Sequence, residues 1–198
     1  MKLRIFKILK NTKVEGPDTR YCIWTQGCSR HCKGCQAVHT WSHSGGELIE
    51  VNEIIEDIKS QKGIEGITFL GGEPFEQADA LGIIAESVQK MGLGVLCFTG
   101  GYFEELRLNP INQKLLDNID LLIDGPFEID KVDYSRPWCG SSNQRYHFLT
   151  SRYDEEIFEK YKNKVEVNIS KNGTVFMNGM GNFDEIMNKI SLTKLQEV

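Results

Sequence analysis

The chain has 198 residues, 40% hydrophobic and 26% charged, the proportions of an ordinary globular domain. Its 23 basic and 28 acidic residues leave a net charge of −5, which argues against nucleic-acid binding through a basic surface. No apolar run approaches the ~20 residues needed to span a bilayer, and the start Met1-Lys2-Leu3-Arg4-Ile5 alternates charge with apolar residues, unlike a signal peptide; a cytoplasmic chain without nucleic-acid or membrane partners is expected.

In chain order, Tyr21 to Thr25 reads as a strand that runs into a loop holding three of the six cysteines. Asn52 to Gln61 reads as a helix, with Asn52 as cap and Ile54, Ile55 and Ile58 on one face. Gly66 to Leu70 is a short buried strand ending in Gly71-Gly72. Leu81, Ile84, Ala85, Val88 and Met91 then form a helical stripe stopped by Gly92. Val95 to Phe98 is the next strand, and Asn109-Pro110 opens a helix carrying Leu115, Leu116 and Ile119. Leu121 to Ile123 is a further strand, ending in Asp124-Gly125-Pro126.

Strand, helix, strand, helix, strand predicts an α/β fold of mostly parallel strands with crossover helices. Ligands gather beyond the carboxyl ends of such strands, and here those ends are rich in glycine. After Gly140 the pattern changes: a strand at Arg145 to Leu149, and a short helix with Ile157, Phe158 and Tyr161. A hairpin follows around Lys171-Asn172-Gly173, then a closing helix presenting Phe183, Ile186, Met187 and Ile190.

The loop Gly27-Cys28-Ser29-Arg30-His31-Cys32-Lys33-Gly34-Cys35 spaces its thiols as CX3CX2C. Thiolates at these gaps, with glycines relieving the turns, suit an iron–sulfur cube. Three ligands for four irons leave one iron open, and an open site serves chemistry where a closed one serves structure. Zinc, with His31, His39 or His43 as a fourth ligand, is the alternative; zinc sites commonly pair two short knuckles, and no second CX2C exists here. Cys22 and Cys97 fall in strand patterns and read as core; Cys139 reads as an inert loop thiol rather than a reactive one.

CX3CX2C after a first strand, with Gly71-Gly72-Glu73-Pro74 after the next, resembles the radical S-adenosylmethionine (SAM) superfamily. Gly16-Pro17-Asp18-Thr19-Arg20, Trp41, Phe98-Thr99-Gly100, Leu122-Ile123-Asp124-Gly125-Pro126-Phe127 and Gly140-Ser141-Ser142-Asn143-Gln144-Arg145 follow in order. Together they resemble the glycyl-radical-enzyme activases of anaerobic ribonucleotide reductase, over about residues 14 to 147.

The resemblance implies a partial (β/α) barrel with a small α+β extension from about residue 148, within one domain spanning 1–198. It implies a [4Fe-4S] cluster on Cys28, Cys32 and Cys35. It implies SAM contacts at Gly71, Gly72, Glu73 and Pro74, with Gly34 and Gln36 on the adenine side and Thr99 and Gly100 as further candidates. The implied partners are a glycyl radical enzyme such as anaerobic ribonucleotide reductase, or a peptide, and an electron donor such as flavodoxin or ferredoxin. Radical SAM modification of a peptide or small molecule is the alternative, and a non-catalytic iron–sulfur or zinc protein the remote one. The chain departs from the family pattern in having Gln36-Ala37 after the third cysteine where Tyr-Asn is usual, in Cys139 where Arg is usual, and in its long tail.

Overall fold

The computed structural model describes residues 1–194, with side chains as far as Lys189; the expected Ile190 side chain and residues 195–198 lie outside the described part. Seven strands form one row, in the order β3-β1-β2-β4-β5-β6-β7. They are β1 (Lys2–Thr12), β2 (Arg20–Thr25), β3 (Glu47–Glu50), β4 (Gly66–Gly71), β5 (Gly94–Phe98), β6 (Leu121–Asp124) and β7 (Arg145–Phe148). The central β2, β4, β5 and β6 are parallel, and β1, β3 and β7 add antiparallel edges. The result is a mixed α/β fold around a parallel centre.

Side chains alternate across this sheet as the pleat requires. Tyr21, Ile23, Ile67, Phe69, Val95 and Leu122 face one way, into the largest apolar cluster. That cluster is closed by α1 (Val51–Ser60), α2 (Ala78–Lys90) and α4 (Gln113–Leu116). Leu81, Ile84, Ala85 and Val88 of α2 are completely buried, as their spacing predicts. Helix α1 starts one residue earlier than Asn52, at Val51, and no side chain caps it; the expected Asn52 cap is not formed. Asn109-Pro110 opens a 3₁₀ turn, Pro110–Asn112, before α4, because proline favours the first turn whichever helix follows. Between β5 and α4 lies the single turn α3 (Phe103–Leu106).

Cys22, Trp24, Leu70, Leu96 and Ile123 face the other way. Three parts of the chain cover them. The strip at Gly16 passes so close that a Cβ there would lie 3.2 Å from Thr68 Oγ1. Trp138 and α5 (Ile157–Lys160) pack on Leu96 and Ile123. The third part is a separate hairpin, β8 (Val165–Ile169) with β9 (Val175–Gly179), whose Phe176 meets Trp24 edge-on at 6.0 Å. Helix α6 (Phe183–Lys194) ends the described chain. Among the described residues no helix is long and apolar enough to cross a membrane.

Candidate active site at the carboxyl ends of the strands

Strand β2 delivers the cysteine loop, and β4 delivers the Gly-Gly-Glu-Pro turn beside it, because the two strands pair in register from Arg20–Gly66 to Thr25–Gly71. The turn after β4 needs glycine twice. Gly71 has φ +102° and would put a Cβ 2.8 Å from the Thr25 nitrogen; at Gly72 a Cβ would fall 2.2 Å from the Gly27 carbonyl oxygen. That contact lets the Glu73 N–H donate to Gly27 O at 2.8 Å. The same two segments are joined again through Glu76, which accepts from Ser29 N at 2.8 Å and pairs with His43 Nε2 at 2.7 Å. Burial pushes the Glu76 carboxyl up, but these hydrogen bonds outweigh it and hold it below the usual range.

Glu73 is 3% exposed and fully engaged. Arg30 Nε donates to it at 2.9 Å, the Thr99 hydroxyl at 2.7 Å, Gly100 N at 3.0 Å and Phe75 N at 3.2 Å. One carboxylate therefore ties the cysteine loop, its own turn and the end of β5 together.

These groups surround a cavity of about 250 Å³. Cys28, Cys32, Cys35, Gln36, Gly71, Gly72, Glu73, Thr99 and Gly100 all line it. Two of the expected site residues do not. Gly34, at φ +80°, turns the loop against Ile129, and Pro74 is buried at the start of a 3₁₀ turn, Pro74–Gln77. Sequence reasoning missed Glu15, Arg30, Trp24 and the 176–183 segment, all of which line the same space. Only Arg30, inside the cysteine motif, carried a positional signal. Gln36 does reach the cavity, but its amide donates to Tyr134 Oη at 3.3 Å and to the Gly181 carbonyl at 3.1 Å, so the C-terminal segment holds it.

The donor set fits a cluster. All six cysteines are free thiols. Burial raises the Cys28 thiol, while the backbone N–H groups of Arg30 and His31 act in the opposite sense, and Ala37 N donates to Cys35 Sγ at 3.4 Å. N–H groups aimed at sulfur favour the thiolate that binds metal. Cys28, Cys32 and Cys35 line one cavity, and soft thiolate donors are what an iron–sulfur cluster takes; among the described residues no three His, Cys, Asp or Glu side chains are grouped closely enough to hold a single metal ion. The histidines have other partners: His43 pairs with Glu76, His31 stacks on Trp41 at 4.6 Å, and His39, at the cavity wall, packs tilted against Phe6 at 4.5 Å.

Asp124 is not part of this site. It is completely buried on the helix side, held by Arg145 Nε at 2.9 Å and by the Phe103 N–H at 2.7 Å. His147 Nε2 lies 3.0 Å away without the alignment of a hydrogen bond. Asn143 donates to Pro126 O at 2.7 Å and also stays outside the cavity. Cys22, Cys97 and Cys139 are completely buried, and burial raises all three thiols.

A family model described as a 4Fe-4S single cluster domain matches residues 14–147. The anaerobic ribonucleoside-triphosphate reductase-activating protein of Pasteurella multocida is 33% identical over 147 residues, covering 69% of this chain and 92% of its own length. Proteins of the same name from Vibrio cholerae and Escherichia coli K12 are 34% and 32% identical, each over 69% of this chain and 92% of their own length. The solved structure of QueE from Escherichia coli aligns at a TM-score of 0.41 and 19% identity, over 51% of this chain and 54% of that one, a likeness too slight to argue from. The match over residues 14–147 and the coverage of these relatives make the assignment: the chain belongs to the 4Fe-4S single cluster domain family, with the anaerobic ribonucleoside-triphosphate reductase-activating proteins.

Proposed function

We propose that this chain activates an anaerobic ribonucleotide reductase by installing a glycyl radical on it. The observation that carries the reading is the shared cavity: three free thiols and the Glu73 turn face one space at the ends of parallel strands. Cys28, Cys32 and Cys35 would hold a [4Fe-4S] cluster. When bound, it would supply the one electron that splits SAM into methionine and a 5′-deoxyadenosyl radical, the agent of hydrogen-atom abstraction from the substrate. The chain's own residues bind, orient and shield. Gly71 and Gly72 allow close main-chain approach to the methionine end of SAM. Glu73, locked by Arg30, Thr99 and Gly100, fixes that turn, while Trp24, Leu70 and Phe98 give the cavity an apolar wall against water. The reading includes a partial-barrel curvature of the sheet, a flavodoxin or ferredoxin as electron donor, and a cytoplasmic setting in keeping with six unpaired cysteines.

Anaerobic reconstitution with iron and sulfide tests it. About four irons should bind per chain, dithionite and SAM should yield 5′-deoxyadenosine, and the reductase should then show a glycyl radical by electron paramagnetic resonance. Cys32→Ala should lose both iron and cleavage. A chain that holds four irons and forms no 5′-deoxyadenosine overturns the proposal.

A further inference from the structure

The C-terminal segment is a wall of the cavity that lies beyond the family match. The match ends at residue 147, yet Phe176, Asn178, Gly179 and Met180 line the space that holds the three cysteines. Its attachment differs from that of the residues just before it. Those are built into the core: Ile157 is 4% exposed and packs in the cluster of Leu96 and Trp138. Arg20 donates to Tyr153 Oη at 3.0 Å, and Tyr161 Oη donates to Asp18 at 2.6 Å.

Strands β8 and β9 pair only with each other. Among the described residues, neither contributes a side chain to the buried apolar clusters. Polar links and one edge-on aromatic contact, Phe176 with Trp24 at 6.0 Å, hold them instead. The Gly179 N–H donates to Glu15 at 2.5 Å. The Asn178 amide donates to the Thr12 hydroxyl at 3.1 Å, and that hydroxyl donates to Glu166 at 2.5 Å. Gln36 reaches the Gly181 carbonyl, and Lys7 Nζ sits 3.3 Å over the Phe176 ring. A two-stranded hairpin is marginal by itself, and segments with few buried apolar contacts open before the core does.

We propose that the β8–β9 hairpin and the turn after it form a displaceable lid. Closed, it covers the inner face of the sheet beside the cysteine loop. It has to swing away before a protein substrate can bring its main chain to the cavity. This rests on the activase reading, in which the reacting carbon belongs to the backbone of a folded partner. The closed lid lays its own main chain at Gly179 and Met180 along the cavity that such a backbone has to reach. A partner then meets a chain that is only fractionally competent, and its apparent affinity is lowered by that fraction.

Gly179 offers the test. Its φ is +105° and a Cβ would fall 2.1 Å from the carbonyl oxygen of Lys164, next to the Val165–Gly179 pair that closes the hairpin, so Gly179→Ala strains the hairpin at the point where it is tied to Glu15. In the full-length, cluster-reconstituted chain, hydrogen exchange read by mass spectrometry should show hairpin amides about tenfold faster than those of β4. Gly179→Ala should speed the hairpin further and leave β4 unchanged, which also controls for folding. Anaerobic ribonucleotide reductase should bind Gly179→Ala about tenfold more tightly than the wild type, and its binding to the wild type should speed hairpin exchange. Phe176→Ala, which spares the turn, should shift both readouts in the same direction by less. Hairpin amides as slow as those of β4, or unchanged affinity in both variants, overturn the lid and leave the activase reading standing. Failure of every form to bind the reductase overturns both.

Discussion

Glu73 takes four hydrogen bonds, more than a turn residue needs merely to face a ligand. Its partners come from three separate segments, so removing the carboxylate leaves donors unpaired on all three. Glu73→Ala should cost about 2–3 kcal/mol, read by urea unfolding of the cluster-free chain, besides abolishing SAM cleavage. Glu15 presents the opposite case, a buried carboxyl without a cation. Burial pushes it up to about 7, against the hydrogen bonds from Gly179 and Asn178, and the Glu166 charge adds to the rise; the Cys22 thiol also faces it. The folded chain then holds this proton more tightly than the unfolded chain does. Its contribution is therefore fully present below about pH 4.5 and is lost as pH rises through about 7. Glu15→Gln keeps an acceptor for Gly179 and removes the charge. The variant should match the wild type near pH 4.5 and become the more stable of the two, by up to about 3 kcal/mol, above pH 7. Urea midpoints at the two ends of that range check the sign. Nothing in the sequence marks Glu15, because its hydrogen-bond partners Gly179 and Asn178 and the Glu166 charge lie more than 150 positions away.

At the scale of elements, the cysteine loop and the β4 turn work as one unit. Three backbone links bind the loop to its surroundings: Gly27 N to Thr40 O, Cys28 N to Trp41 O and Glu73 N to Gly27 O. Gly72→Ala should break the last by steric overlap and lower iron content well below that of the wild type, measured per folded chain. The parallel strands were legible because each is a short apolar run closed by glycine or aspartate-glycine. Strands β1 and β3 were not. The alternation that opens Lys2–Thr12 breaks at Phe6, where the pairing with β2 also shifts register, and Glu47–Glu50 is too short to show a period. The β8–β9 hairpin was legible from Lys171-Asn172-Gly173, but its position over the cavity was not, since hairpin signals are local and carry no address.

For the whole molecule, Asp124 shows how a motif residue can serve the frame rather than the site. It joins β6, β7 and α3 through Arg145 and the Phe103 N–H. Arg145 is 41% exposed, which tempers the pair. Asp124→Ala should lower unfolding free energy by roughly 2–3 kcal/mol, while the folded fraction still binds iron and cleaves SAM. Thermal unfolding and iron content together separate that outcome from a role in the site.

The sequence by itself determined the cysteine spacing, the glycine-rich strand ends and the parallel α/β order, because these are set by neighbours within a few residues. It also carried the family. Only the tertiary structure decided that Glu73 is a joint among three segments, that Asp124 faces away from the cavity, that Glu15 is buried beside the hairpin, and that the tail walls the cysteines. Each of these depends on which distant segment covers which face of the sheet, and burial and polar pairing at long range leave no local periodicity to read.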